Sequence, residues 1–286
     1  MDRRVRHHEY WADAKKAESV TAPVITARVI PPLTRKWRGR YLVERNVLST
    51  KSFWPVLLSG FFEPVFYLFA IGIGVGQLVG DVEVGGLMVP YQAFVAPAML
   101  AASAMNGAVF ESTNIFFKLR YGKVYDAVLA TPVEPTEVAS GEIAWTLARG
   151  AMYSAAFLVV MTVMGLIHSP LAILAFPASL LVGFAFGALG TAATTWMRTW
   201  QDLDLVTLIV LPLFLFSATM YPIDVYPPLM QKITWVSPLF HGVELIRGLT
   251  LGVLSWTMLI NIMYLTILGI IGSIITSRRV GHVLLK

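Results

Sequence analysis

Residues 222–252, PIDVYPPLMQKITWVSPLFHGVELIRGLTLG, decide how many times this chain crosses a membrane. The stretch is apolar enough to resist solvation, yet Pro222, Pro227, Pro228 and Pro238 interrupt it. Prolines at 227 and 228 suit the first turn of a helix. Ser237-Pro238 ends that helix, and a second short one follows over about 240–249, before Gly252. Read as two short helices that dip into the outer leaflet and return, the stretch leaves six crossings in the chain. Read as two crossings, it gives eight. Irregular backbone at membrane depth is tolerated where it is buried in protein or lines a cavity, and the re-entrant reading is the one taken here.

The remainder of the chain demands a bilayer. Of 286 residues, 56% are hydrophobic and only 14% charged, with a mean hydropathy of +0.68. Soluble domains carry roughly a quarter charged residues, so a soluble chain this apolar would leave far more apolar surface than its core can bury. The six expected spans are 53–78, 90–117, 143–167, 171–197, 205–221 and 253–276. Each is close to the roughly 20 apolar residues that a crossing helix needs, and helices are required because unpaired strands leave bare amides in lipid. The expected fold is therefore an all-α integral membrane protein.

Charge placement gives the orientation. The net charge is +5, and the first 52 residues alone hold twelve Lys or Arg. With the N-terminus in the cytoplasm, all but two of the 22 Lys and Arg fall in or beside inner segments, the exceptions being Lys232 and Arg247. An odd number of spans would carry Arg278 and Arg279 to the outside, so both ends are expected in the cytoplasm. Positive charge confined to the inner membrane face argues for lipid and against nucleic acid as its partner. The chain contains no cysteine, which excludes disulfides, thiolate nucleophiles and Cys-based metal sites. Its first apolar stretch starts near Phe53, too late for a secretory signal. Residues 1–32 are polar and mixed, and are read as a cytoplasmic extension preceding a membrane domain over 33–286.

Two inner segments stand out. Residues 33–52 are too charged to span; Leu33, Trp37, Tyr41 and Leu48 share one helical face, with Arg35, Arg38 and Arg45 largely elsewhere. The pattern fits a helix lying at the inner interface, aromatics at headgroup depth and cations toward phosphates; a solvated basic linker is the plainer alternative. Within the long inner loop 118–142, residues 122–130 make two helical turns, stopped at Thr131-Pro132. Val124 and Val128 share one stripe, Tyr125 and Leu129 the next. Such a helix can dock on a cytoplasmic partner, or it is an ordinary surface loop.

Ionisable groups inside a membrane are costly and invite explanation. Glu63 precedes Pro64 in the first span. Glu111 and Arg149 lie at similar depth, each about two turns from the inner ends of spans two and three, where they can pair. Such a pair is either a static clamp or part of a substrate path. Asp202 and Asp204 stand where a helix N-terminus favours acids. His241, Glu244 and Arg247 share a face near the outer surface. A metal there would need a further ligand, and none is evident.

The order of these features resembles the permease subunits of ABC exporters in the drug-export and nodulation-protein-J class, which includes O-antigen and teichoic-acid exporters. The resemblance covers about residues 33–285. It is carried by the interfacial helix, by Asp126-x-x-Leu129-x-Thr131-Pro132 followed by Glu137 and Gly141, and by Tyr221-Pro222, Ser237-Pro238-Leu239, His241, Glu244, Arg247 and Gly252. It implies a permease that works as a homodimer or heterodimer, each half with six spans, exporting a hydrophobic or lipid-linked substrate. The loop helix becomes a coupling helix seated on a separate ATPase, with Tyr121, Lys123, Val124, Tyr125, Asp126, Val128, Leu129 and Pro132 at the contact. Trp37, Arg38, Tyr41 and Arg45 mark the interfacial helix. Glu63, Glu111 and Arg149 become polar groups of the pathway, and Tyr221, Pro222, His241, Glu244 and Arg247 an outer gate. The phosphate-cradling pattern G-x-x-x-x-G-K-[ST] is absent, so ATP and Mg are expected on the partner and no cofactor on this chain. Two other classes are compatible with the composition. A channel or secondary carrier usually shows matching halves or mid-membrane acids, which are not seen. A transferase on lipid-linked substrates would draw on Asp224, His241 and Glu244, without a nucleophile or metal beside them.

Overall fold

The computed structural model describes residues 37–50 and 62–284. The expected extension over 1–32 and the start of the first span, 53–61, lie outside the described residues. The chain divides into two units, 1–38 and 39–286; of the first, Trp37 and Arg38 are described. Ten helices and one hairpin are used below.

Helix α1 (Gly39–Thr50) lies within the expected interfacial segment. Its packed residues are Gly39, Leu42 and Asn46, whereas Tyr41 and Leu48 remain exposed. Helix α2 (Phe62–Val79) is apolar and long enough to cross a bilayer, and its centre, Leu68–Val75, winds as a π-helix through Gly72 and Gly74. Gly80, at φ 74°, ends it. Between the first two expected spans stands an antiparallel hairpin, β1 (Asp81–Val84) and β2 (Leu87–Pro90). Gly85 and Gly86 form its turn, both at positive φ, which the twist of a two-residue hairpin loop requires. It is the one departure from helix among the described elements.

Helix α3 (Tyr91–Arg120) is the axis of the bundle: 83% of its most apolar window is buried. Its Ala-rich first half lets neighbours approach closely. Lys123, in the left-handed region at φ 44°, turns the chain into the six-residue helix α4 (Val124–Leu129). Helix α5 (Pro135–Val163) opens with a reciprocal cap: the Glu137 carboxylate accepts from the Glu134 amide at 3.0 Å, and Pro135 sits in the first turn. A 3-10 turn (Pro170–Leu174) leads into α6 (Ala175–Thr194).

The expected fifth span, 205–221, is helical only over α7 (Asp202–Leu215). Fourteen residues reach about 21 Å, short of a hydrocarbon core of about 30 Å. Among the described residues, five helices are therefore long and apolar enough to cross: α2, α3, α5, the Pro170–Thr194 segment, and α10 (Thr257–Leu284). Between α7 and α10 lie the two short helices expected from the proline pattern, α8 (Pro228–Thr234) and α9 (Pro238–Leu251). Ser237-Pro238 opens α9 as its cap and first residue rather than closing α8, which ends at Thr234. Gly252, at φ 81°, closes α9. The main core joins α3, α5, α6, α9 and α10; a second small core gathers Leu42, Tyr125, Val138, Ala139 and Val280 around α4.

Candidate functional site

Helices α3 and α5 run antiparallel, and a seven-residue spacing is repeated on both. Glu111 precedes Lys118 by two turns on α3; Glu142 precedes Arg149 by two turns on α5. The antiparallel register sets each acid against the other helix's base. Arg149 Nη1 donates to Glu111 Oε2 at 2.6 Å, and Lys118 Nζ donates to Glu142 Oε2 at 3.0 Å. Lys118 also donates to Glu111 Oε1 at 3.2 Å and to Asn46 Oδ1 of α1 at 3.2 Å. Helix α1 adds two donors to Glu142, Asn46 Nδ2 at 3.0 Å and Arg45 Nη2 at 3.4 Å. Gly141 makes the approach of α1 possible, since a Cβ there would stand 2.7 Å from the Gly39 carbonyl.

This network is buried: the side chains of Glu111 and Glu142 are each 2% exposed and that of Arg149 4%. A lone buried carboxylate is costly, and here each acid meets two cations. Arg149 also lies over the Phe110 ring, 4.4 Å from its centroid. Beside the network opens a cavity of about 440 Å³ lined by Asn46, Phe110, Asn114, Lys118, Trp145 and Arg149.

Helix α4 packs against the same place. Tyr125 is 3% exposed in the small core, Val128 and Leu129 are half-buried, and Tyr121, Lys123, Asp126 and Pro132 face outward. Burial, then the nearby Glu142 carboxylate, hold the Tyr125 phenol well above its usual range. Its hydroxyl is buried against that carboxylate, and Arg45 Nη1 is buried with no hydrogen-bond partner among the described residues. A groove of about 320 Å³ runs between α1 and α4, bounded by Tyr41, Arg45, Val124, Ala127 and Val128.

The far end of α3 is built differently. Past Leu215 the chain leaves the helix, and side chains take up its carbonyls one by one. Ser217 donates to Leu213 O; Thr219 to Phe214 O at 2.7 Å; Tyr226 to Leu215 O at 3.2 Å. Thr234 reaches Phe216 O at 2.9 Å, and Tyr91 reaches Met220 O at 2.9 Å. Arg247 holds Ala218 O at 2.7 Å, Phe94 O at 3.3 Å and Glu244 at 2.7 Å. Ala218 itself sits at φ 53°, an uncommon conformation for a residue with a Cβ. Tyr221 is exposed and Pro222 half-buried at the end of this turn. His241 does not join Glu244 and Arg247: its Nδ1 is 2.7 Å from Asn261 Oδ1 and its Nε2 2.9 Å from the Trp235 carbonyl.

Glu63 is exposed on α2 and lines a separate small cavity, about 140 Å³, with Tyr67, Asn106, Thr207 and Phe214. Trp37 and Tyr41 are exposed, while Arg38 and Arg45 are half-buried. Asp202, in the first turn of α7, accepts from the Arg198 and Thr199 amides of the preceding turn at 2.7 and 3.0 Å, which holds its carboxyl below the usual range, and it caps no amide of α7 itself. Among the described residues, no three His, Asp or Glu are arranged to hold a metal. Lys118, Glu142 and Asn46 are the members that reading by depth alone misses. The repeated acid-x6-base spacing on two consecutive helices is the signal that exposes them.

Comparison with known proteins agrees with this architecture. The profile of the family described as "ABC-2 type transporter" matches residues 39–251. Nodulation protein J of Rhizobium leguminosarum bv. trifolii is 33% identical over 218 residues, covering 76% of this chain and 80% of that protein. Nodulation protein J of Sinorhizobium fredii (strain NBRC 101917 / NGR234) is 30% identical over 213 residues, 74% and 78% of the two chains. The inner membrane transport permease YadH of Escherichia coli (strain K12) is 23% identical over 192 residues, 65% and 72%. Multiple apolar helices, a helical hairpin locked by buried ion pairs and a profile match across most of the chain lead to one assignment: this is a multi-pass membrane permease of the ABC-2 type transporter family.

Proposed function

We propose that the chain is the membrane half of an ATP-driven exporter, with ATP and Mg bound by a separate ATPase subunit that docks on α4. The observation that carries this reading is the form of α4. It is a six-residue helix beyond the end of a long apolar one, anchored by buried Tyr125, with Lys123 and Asp126 outward and an open groove at its side. Family membership supports the ATPase partner. In this reading the crossings number six, with α7 and the turn after it counted as the fifth, α8 and α9 re-entrant from the outer side, and both termini in the cytoplasm. The positive-inside distribution supports that orientation, and α1 rests its exposed Tyr41 face among inner headgroups. The protein resides in the cytoplasmic membrane.

A second permease copy covers α2 and α7. No residue of α7 is buried, and Leu208, Ile209 and Leu211 are more than half exposed, as are Phe66 and Leu78 of α2. Glu63, Tyr67, Asn106 and Thr207 on this side give a path with carboxylate, amide, hydroxyl and aromatic groups. That mixture supports an amphipathic, lipid-linked or glycolipid substrate.

The test is export from vesicles containing the permease and its co-purified ATPase. Disabling ATP hydrolysis is expected to abolish export, and Lys123→Glu is expected to weaken assembly or uncouple hydrolysis from export. Export that continues without hydrolysis assigns the chain to the channels or carriers instead.

A further inference from the structure

Helices α6 and α10 run parallel and meet closely at Gly272, where a Cβ would stand 2.8 Å from the Ala188 carbonyl carbon. Toward their starts they leave a groove of about 640 Å³, which α9 closes from behind. It is larger than the cavities described above. Its floor is Ala178 of α6 with Leu245 and Leu249 of α9, all buried. Its rim is Leu174, Trp256 and Leu259, all exposed. Among the described residues no charged side chain lines it, and Ser255 supplies the one hydroxyl.

Water gains nothing in such a groove. A water molecule needs two to four polar partners, and a cavity walled by hydrocarbon stays dry. An alkyl chain does gain, because every lining side chain offers it dispersion contacts. The rim also runs on into the lipid-facing surface of a crossing helix. From Leu259 the exposed residues of α10 continue as Met263, Ile267, Ile270 and Ile274, at the three- and four-residue spacing of one helical face. A chain lying on that face enters the groove without leaving hydrocarbon. None of the described lining residues belongs to α2 or α7, and none is shared with the cavity beside Glu63. The exported substrate is therefore not its occupant.

We propose that this groove binds one acyl chain of a membrane phospholipid of the outer leaflet, with the headgroup beside Ser255 and Trp256. An exposed indole suits that depth. The leaflet, and nothing else in the proposal, rests on the outer placement of α9 given above. With no charge in its lining, the site selects by chain and not by headgroup charge. The bound chain backs α9: Leu245 and Leu249 face it, whereas Arg247 reaches the other way, to Ala218 O and Phe94 O.

The test loads the full permease into phosphatidylcholine vesicles containing phosphatidylcholine with a photoactivatable diazirine on its acyl chain. The protein is then extracted, washed in detergent, irradiated, and mapped by peptide mass spectrometry. Residues 174–181 and 254–259 are expected to keep about tenfold more label than Ile267, Ile270 and Ile274, a retention difference of about 1.4 kcal/mol. Ala178→Phe fills the floor and is expected to cut groove labelling about tenfold, leaving labelling of the three isoleucines before washing unchanged. Leu181→Phe, on the α6 wall, serves if Ala178→Phe does not fold. Label spread evenly along α10 after washing overturns the site, and so does undiminished groove label in the filled variants. A phosphatidylglycerol probe is expected to label equally; a marked preference for it overturns selection by chain. The chain lacks cysteine, so Trp256→Cys reads the side separately. An impermeant maleimide is expected to modify it in spheroplasts. Modification only after lysis overturns the outer leaflet and the orientation together, while the washed labelling still decides the chain site.

Discussion

The two ends of α3 solve the same problem in opposite ways. Both bury polar groups in an apolar bundle, about 40 Å apart along the helix from Tyr91 to Lys118. At the Tyr91 end, hydroxyls of Ser217, Thr219, Tyr226, Thr234 and Tyr91, with the Arg247 guanidinium, meet carbonyls of the last turn of α7 and of the broken backbone after it. Arg247 alone serves Phe94 O, Ala218 O and Glu244, and each hydroxyl reaches a backbone carbonyl. At the Lys118 end, three cations share two carboxylates, and Lys118 divides its donors between both. The first arrangement pairs donors with backbone carbonyls; the second shares charge among side chains.

Substitutions that strike the two ends should therefore differ in kind, and four of them rank the effects. Arg247→Ala strips Ala218 O and Phe94 O of a donor and removes a cation stacked 3.9 Å from the Phe94 ring centroid. It should cost about 4 kcal/mol in equilibrium unfolding in mixed micelles. A loss below about 1 kcal/mol would show that the turn holds itself. Arg149→Ala should cost about 2–3 kcal/mol, softened because Lys118 still reaches Glu111. The double variant Glu111→Ala/Arg149→Ala should be less damaging than the sum of the single changes, as a cycle on a coupled pair requires. Additive losses would break the picture of one shared network. Ser217→Ala removes a hydroxyl bonded to Leu213 O and to the Ser237 hydroxyl, and should cost about 1 kcal/mol with export per folded molecule unchanged. Smallest of all, Tyr125→Phe should cost about 0.5 kcal/mol in the same unfolding measurement, because Glu142 keeps Asn46, Lys118 and Arg45 when the hydroxyl is removed.

The difference between the ends also explains what was legible in the sequence. The apolar segments and the charge imbalance are collective properties of many residues, and they survive local irregularity. The proline and glycine punctuation placed α8 and α9 within a few residues, since those residues constrain the backbone wherever they stand. The end of α7 was not legible. Its length is set by Tyr91, Thr234 and Arg247, side chains from distant segments that compensate carbonyls the helix gives up. The hairpin at 81–90 was hidden because four-residue strands carry too little alternation to signal themselves. His241, Glu244 and Arg247 have the spacing of a cluster, yet Asn261, twenty residues away, draws His241 to α10. At the other end, depth arithmetic identified Glu111 and Arg149. It passed over Lys118 and Glu142 because they fall near span ends, where charge is ordinary.

The burial of α3 carries a mechanical consequence. Thirty residues of continuous helix make a rod of about 45 Å. It is gripped along its middle by α5, α6 and α9 and tethered at either tip by side chains of different character. Pro97 removes one ladder donor inside it, so the helix bends most readily near its Tyr91 tip. There the Tyr91 hydroxyl is fastened to the Met220 carbonyl. One helix thus joins the ion-paired network at one end of the bundle to the turn held by Arg247 at the other.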